Sequence, residues 1–199
     1  RGEPRVPIEV LAPAALGSEA IAAKPFLALE HKRANYALAA AMADSILGPG
    51  KRPYWRSLNP VDGRFECQVI GNRILVIDFA HTPDALETIL TAIRSAFPGA
   101  LVLTLFGCGG DRDRTKRPLM GAAVARHSDR IILTSDNPRT EDPEHIIADI
   151  LAGIPGPAPE VVVDRSEAIA HLFDLLDSRP VGEHWVALIA GKGHERYID

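Results

Sequence analysis

Cysteine is scarce in this chain of 199 residues, with Cys67 and Cys108 as its whole complement. Two cysteines exclude a four-cysteine zinc site, and nothing in their spacing suggests a disulfide scaffold. No apolar run approaches the length of a membrane span. No signal peptide is visible, and the default expectation is a reducing, cytoplasmic compartment; the chain begins at Arg1 without methionine, which reads as a processing boundary rather than a natural start. Positive charge is not in excess either. The formal net charge is −4, which argues against a dedicated nucleic-acid binder but leaves room for a local basic pocket. Three signatures of catalysis are missing as well: the Gly-x-x-x-x-Gly-Lys-Ser/Thr phosphate loop, the Gly-x-Ser-x-Gly elbow and the His-Glu-x-x-His metal helix. With 46% hydrophobic residues, the chain is able to bury a sizeable core.

What is present is concentrated in Gly107-Cys-Gly-Gly-Asp-Arg-Asp-Arg-Thr-Lys-Arg-Pro118. It follows the apolar run 101–106 and precedes a helical pattern over 119–126. Three glycines free the backbone to curl and expose N–H groups. Four cations and two carboxylates follow within seven residues, a density that suits an anionic ligand at a strand–loop–helix junction. Arg112, Arg114, Lys116 and Arg117 are each able to neutralise a phosphate or carboxylate.

The chain is organised in two parts. The first 25 residues or so are rich in proline and alanine, with a short strand expected at 6–11. A helix is expected over 32–47, with Tyr36, Ala39, Ala40, Ala43 and Ile46/Leu47 forming its small-residue face. Gly48-Pro49-Gly50 ends it. Large apolar groups are too few there for an independent core, so residues 1–55 read as the tail of a preceding domain and residues 56–199 as a domain of their own. From Pro60 onward the pattern is regular. Strands at 65–70 and 73–79 flank Gly71-Asn72 as a hairpin. Thr82-Pro83-Asp84 caps a helix striped by Leu86, Ile89, Leu90, Ile93 and Phe97. Strands at 101–106, 130–134, 160–163 and 185–190 then alternate with helices at 119–126, 143–151 and 166–176. This alternation predicts a Rossmann-like α/β fold: a mostly parallel sheet with helices on both faces and one antiparallel edge strand.

In a parallel sheet the loops after the strands share one edge. Asp78 and His81, residues 111–117, Asp136-Asn-Pro-Arg139, Asp164 and Gly191-Lys-Gly-His-Glu195 are therefore expected to converge on one crevice. Arg139 with Asp136 and Asn137 is suited to a zwitterion, the guanidinium meeting a carboxylate and the two side-chain oxygens meeting an ammonium. Glu195 offers a second ammonium contact. Asp78 ends an apolar strand, where a carboxylate often accepts ribose hydroxyls; capping of the turn before Thr82 is its structural alternative. His81 suits either a phosphate or fixing of that turn. His127, His145 and His171 read as solvated helix-surface residues, and Cys108 as a tightly packed thiol near arginines that would lower its pKa.

The motifs Gly63-Arg-Phe-Glu66, Asp78-Phe-Ala-His-Thr-Pro-Asp-Ala-Leu-Glu87, residues 107–121, Thr134-Ser-Asp-Asn-Pro-Arg139, Asp164-Arg165 and Ala190-Gly-Lys-Gly-His-Glu195 occur together and in order. In this combination the chain resembles the C-terminal part of the Mur ligases, over about residues 60–195 with a weaker match over 29–47. The resemblance implies a Rossmann-like C-terminal domain, preceded here by a fragment of the central ATPase domain. It implies an ATP- and Mg²⁺-dependent amide ligase of peptidoglycan synthesis, and so of cell wall biogenesis, cell shape and division, that works through an acyl phosphate. Its implied partners are UDP-N-acetylmuramoyl-L-alanyl-D-glutamate, an incoming amino acid, and N-terminal and central domains not found in these residues. By the same resemblance Asn35, Arg64, Asp78 and His81 face ATP, while Arg112, Asp136, Asn137, Arg139, Gly191 and Glu195 hold the amino acid. The Asp-Asn-Pro-Arg form resembles that of enzymes selecting meso-diaminopimelate. Where family members read His-Asn-x-x-Asn on the adenine side, this chain has His31-Lys-Arg-Ala-Asn35, so Lys32 replaces an amide with a group that has no acceptor. The regions of the phosphate loop and the carbamylated lysine are absent, which makes these residues by themselves an inactive part of a ligase. A non-catalytic amino-acid or nucleotide-binding module is the alternative, and a cyanophycin- or folylpolyglutamate-type ligase a third reading.

Overall fold

The computed structural model describes residues 30–47, 61–71, 73–180 and 182–193. The chain divides into two compact units, residues 1–59 and 60–199. The strand expected at 6–11 lies outside the described residues.

In the first unit, α1 spans Glu30–Leu47. Among its described side chains Ala37 and Ala40 are buried, while Leu38, Met42 and Ile46 are exposed. The expected small-residue face is therefore only partly realised: Ala40 is buried and Tyr36 half-buried, but Ala39 and Ile46 face solvent.

In the second unit, β1 (Arg64–Ile70) and β2 (Arg73–Asp78) form the hairpin. They are followed by α2 (Pro83–Ala96), β3 (Leu101–Phe106), α3 (Lys116–His127), β4 (Arg130–Leu133), α4 (Pro143–Leu151), β5 (Glu160–Val161), α5 (Arg165–Asp177) and β6 (Trp185–Ala190). The six strands run in the order β1-β2-β6-β3-β4-β5. β1 is antiparallel to β2, and every other pairing is parallel.

This order fixes where the helices go. From β2 through β5 the chain advances in one direction across the sheet, so right-handed crossovers place α2, α3 and α4 on one face. The step from β5 back to β6 reverses direction and puts α5 on the other. Period-2 alternation then divides the core. Leu75, Leu103, Leu105, Ile132 and Ala187 pack with Ala168, Leu172 and Leu176 of α5. Their alternates Val76, Val102, Phe106, Val186 and Leu188 are equally buried, as are the apolar sides of α2, α3 and α4. Each fully buried Leu or Ile contributes about 1.5–3 kcal/mol by transfer from water. The buried Thr104 hydroxyl is satisfied by Ser128 Oγ at 2.7 Å. No helix among the described residues is long and apolar enough to cross a membrane.

Local chemistry sets the element ends. Thr82 caps α2 by accepting from Ala85 N, with Pro83 at the first helical position; Phe97, expected within the helix, is its C-cap. α3 begins at Lys116 rather than Leu119, because Pro118 in a first turn lacks only an N–H that would have no intrahelical partner. β5 is shorter than expected. Only Glu160 and Val161 pair with β4, and Val162 and Val163 continue as single bonds to Leu133 O and Ser135 N at 3.0 Å each.

Asp164 does not reach the crevice. It caps α5, accepting from Ser166 N at 2.8 Å and Glu167 N at 2.9 Å. Replacing a cap of this kind costs about 1 kcal/mol. Asp164→Ala is expected to lower the urea midpoint correspondingly, with the slope of the transition unchanged.

Candidate functional site at the carboxyl edge of the sheet

Two loops make the centre of the site, one after β3 and one after β4, and they lie backbone on backbone. A Cβ on Gly107 would stand 2.2 Å from Thr134 O, and one on Gly110 would stand 1.8 Å from Pro138 O. Gly110 N donates to Asn137 O at 2.8 Å, and Thr134 N to Phe106 O at 3.1 Å. None of Gly107, Gly109 and Gly110 has positive φ. The glycines are there for close approach and not for curling, a correction to the sequence expectation. The left-handed conformation falls instead to Asp111 (φ 53°) and Arg139 (φ 51°), an uncommon state for side-chain-bearing residues. Each is tied down. Asp111 N donates to Glu141 Oε1 at 2.7 Å, Thr140 Oγ1 donates to Asp111 Oδ1 at 2.7 Å, and Arg139 Nη1 donates to Gly110 O at 2.6 Å.

Arg117 braces these loops from α3. Its guanidinium donates to both Glu141 oxygens at 2.7 and 2.9 Å, to Asp149 Oδ2 at 2.9 Å and to Gly109 O at 3.3 Å. Only 1% of its side chain is exposed. The Arg117 hydrogen bonds, helped by the Asp111 N–H, pull the Glu141 carboxyl down to about 2. Of the four cations in this stretch, Arg117 is therefore committed to structure, and Arg114 pairs with Asp149 at 3.1 Å. Arg112 makes no hydrogen bond or ion pair among the described residues.

A cavity of about 470 Å³ opens at this edge, the size of a small-molecule site. Arg112, Arg139, Asp136, Asn137, Gly191 and His81 all line it, together with Phe79 and Lys116. Six of the sequence-derived site residues are thus brought together from the ends of β2, β3, β4 and β6. Gly191 has φ 112°, and a Cβ there would stand 2.6 Å from Asp136 Oδ2. Its N–H donates to Asp78 O at 3.1 Å.

Asp78 and Arg64 do not line the cavity. Asp78 accepts from Phe65 N and Ala80 N at 2.7 Å each, so it holds both the turn after β2 and the irregular start of β1. There the register shifts between Arg64 and Glu66, and buried Phe65 takes φ 54°. Arg64 is exposed, with its guanidinium carbon 4.7 Å from the Phe79 ring centre. His81 Nδ1 lies 2.9 Å from Phe79 O, and its ring meets Phe79 edge-on at 4.9 Å. Arg64, Phe79 and His81 thus form one corner above Asp78. Asn35 is exposed on α1 in the first unit, and Glu195 lies outside the described residues.

Two residues that lie in the sequence motifs but were given no role of their own matter here. Lys192 is 7% exposed and donates to Asn137 Oδ1 at 2.5 Å, with Asp136 Oδ1 at 3.5 Å. Arg165, 5% exposed, donates to Ala190 O at 2.8 Å and to Ser135 O at 3.4 Å. Their places in the Gly191-Lys-Gly and Asp164-Arg165 motifs, just after apolar strands, were the available signal.

Several expectations are corrected. Cys108 is buried against Met120, Sγ to Sδ 3.5 Å; burial outweighs Arg117 and pushes its thiol up to about 12, so it holds no thiolate near neutrality. His127 and His171 are not simply solvated: their Nε2 atoms lie 2.6 Å from Glu87 Oε1 and Glu160 Oε2 respectively. His145 is exposed as expected.

Glu141 has a depressed folded pKa, so its contribution to stability is fully present above the ordinary glutamate range near 4.5 and is lost as pH falls toward 2. Glu141→Gln should be less stable than the parent at pH 7 and show a shallower loss between pH 5 and 2, measured by urea unfolding across pH. Gly110→Ala should destabilise by about 2–3 kcal/mol or more, since the atom in the way is backbone.

The chain was then compared with known proteins. A family model described as Mur ligase, glutamate ligase domain, matches residues 63–193. The UDP-N-acetylmuramoyl-L-alanyl-D-glutamate–2,6-diaminopimelate ligase of Synechococcus elongatus is 54% identical over 140 residues, covering 69% of this chain and 27% of that protein. A solved structure of a ligase of the same description is 38% identical, with a TM-score of 0.63 over 85% of this chain and 34% of the other. A Mycobacterium tuberculosis folylpolyglutamate synthase shares the fold, with a TM-score of 0.60 at 20% identity over 81% of this chain and 37% of the other. The chain spans about a third or less of the length of these proteins. The parallel sheet with one antiparallel edge, the motifs at its carboxyl edge and the match over 63–193 agree: the chain belongs to the Mur ligase family and carries its glutamate ligase domain.

Proposed function

We propose that this chain is the amino-acid-binding part of an ATP-dependent ligase that joins meso-diaminopimelate to UDP-N-acetylmuramoyl-L-alanyl-D-glutamate in peptidoglycan synthesis. One observation carries the reading: a cavity of about 470 Å³ with Arg112 and Arg139 in its lining beside buried Asp136 and Asn137. Two guanidinium groups suit a ligand with two carboxylates, and diaminopimelate has one at each end. The 54% identity to a diaminopimelate ligase supports the same reading, and the folylpolyglutamate alternative has only the fold in its favour.

In the proposed reaction the acceptor carboxylate takes a phosphoryl group from ATP to give an acyl phosphate. The neutral amine of diaminopimelate attacks its carbonyl carbon and the C–N bond forms; the C–O bond breaks with its electron pair leaving on phosphate, and the nitrogen gives up one proton to solvent. Arg139 and Arg112 fix the carboxylates, so that the amine is presented in one orientation; this is a positioning contribution. Glu195 and Gly191 complete the amino-acid contacts. On the ATP side Asp78, held by the Phe65 and Ala80 N–H groups, faces the ribose in this reading, with Arg64 and His81 toward the phosphates and Asn35 toward adenine. Mg²⁺ would neutralise the transferred phosphoryl charge. No cluster of three His, Cys, Asp or Glu suited to a metal occurs among the described residues, so they do not fit a metal centre and no step here passes through one. Residues 1–55 are the end of the central ATPase domain, and 56–199 the C-terminal domain, of a cytoplasmic enzyme.

Calorimetric titration tests this reading. The chain should bind meso-diaminopimelate in preference to L-lysine, and Arg139→Ala should weaken that binding by about 10- to 100-fold, the range for one charge-assisted contact. Equal affinity for the two amino acids, or unchanged binding by the variant, contradicts it. The 199 residues by themselves should form no amide from ATP and the two substrates, as read by ADP release and mass spectrometry.

A further inference from the structure

The order of the strands divides the walls of the cavity. His81 and Thr82 reach it from the turn after β2, Arg112 and Lys116 from the loop after β3, and Asp136 and Arg139 from the loop after β4. β3 lies between β2 and β4 in the sheet, so its loop stands between the nucleotide side and the amino-acid side of the proposed reaction. The phosphoryl group is the one fragment that both sides share: it leaves ATP on one and is expelled by the amine on the other. Charge on this middle wall is in excess. Arg117 is committed to Glu141 and Asp149. The Lys116 side chain is exposed, and its ammonium makes no hydrogen bond or ion pair among the described residues. The carboxylate closest to it in the chain, Asp113, is turned to Thr115, accepting from its Oγ1 at 2.6 Å and its N at 3.0 Å. With Arg112 and Arg139 given to the two carboxylates of diaminopimelate, Lys116 is a cavity cation with no anion assigned to it.

We infer that Lys116 is a further catalytic residue of the proposed ligation, placed to meet the phosphoryl oxygens of the acyl phosphate and of the phosphate that departs. The inference rests on the amino-acid-binding reading above and adds to it a group that touches the reacting phosphate. A compact ammonium with three donors suits a group with several charged oxygens, where the planar fork of an arginine suits a carboxylate. When the amine attacks the carbonyl carbon, the C–O bond to phosphate breaks and its electron pair passes to a phosphate oxygen. The Lys116 ammonium stabilises that negative charge as it grows, and transfers no proton.

The test follows inorganic phosphate by phosphorus NMR as it is titrated into the full chain saturated with meso-diaminopimelate, folding being checked by circular dichroism. Saturable phosphate binding is expected. Lys116→Met should weaken it by about threefold or more, the scale of one exposed ion pair, with a smaller loss of diaminopimelate affinity by calorimetry. Should Lys116→Met fail to fold, Lys116→Gln takes its place with the same expectation. Lys116→Arg keeps the charge and should recover most of the phosphate affinity. Four results overturn the inference while leaving the binding reading intact: no saturable phosphate binding, phosphate displaced by diaminopimelate, a smaller loss than this in the uncharged variant, or an arginine variant no better than the uncharged one. No preference for diaminopimelate over L-lysine in the parent chain overturns both.

Discussion

Everything at the carboxyl edge depends on how closely the β3–α3 loop lies on the β4–α4 loop. Gly110 and Gly107 remove the side chains that would keep Pro138 and Thr134 away. This contact, and not any hydrogen bond, sets the distance between the arginine that follows one loop's glycines and the arginine that ends the other loop's motif. Once the backbones touch, the polar groups have few choices. Gly110 N finds Asn137 O, Arg139 finds Gly110 O, and the left-handed turn at Asp111 is held by Glu141 and Thr140. Sheet order supplies the rest: β6 enters between β2 and β3, bringing Gly191 and Lys192 beside the same loops.

The charges at this edge divide their work by burial. Arg117 is enclosed and meets the half-buried carboxylates of Glu141 and Asp149, a structural brace between the two loops and α4. Arg112 and Arg139 remain exposed beside the cavity, where a ligand can displace water from them. Asp78 is likewise engaged by two backbone N–H groups, so the residue suited to a ribose also fixes the hairpin that carries Arg64. In this site the groups that would meet ligands are held in place by groups that do not.

Much of this was legible in the sequence, and the reasons are physical. Strand and helix order followed from apolar runs alternating with amphipathic stretches, and the hairpin from Gly71 with its flanking strands. The convergence of Asp136, Asn137, Arg139, Arg112 and Gly191 followed from parallel topology alone. What the sequence did not disclose was pairing across the fold. The glycines looked like a cradle because a close approach to Pro138 cannot be seen from one loop. Arg117 resembled Arg112 until Glu141 and Asp149 closed on it. Cys108 seemed acidified by its arginines, but burial, which is a property of the packed core, outweighs them. Lys192 carried no signal beyond its flanking glycines, since its partners lie 55 residues away in the chain.

The central claim is that the cavity between these loops reads the carboxylates of an amino acid. A crystal structure of the chain with meso-diaminopimelate tests it most directly. The account predicts the ligand in the cavity, with one carboxylate within hydrogen-bond reach of Arg139 and the other within reach of Arg112. A ligand bound away from Arg112 and Arg139 would contradict it.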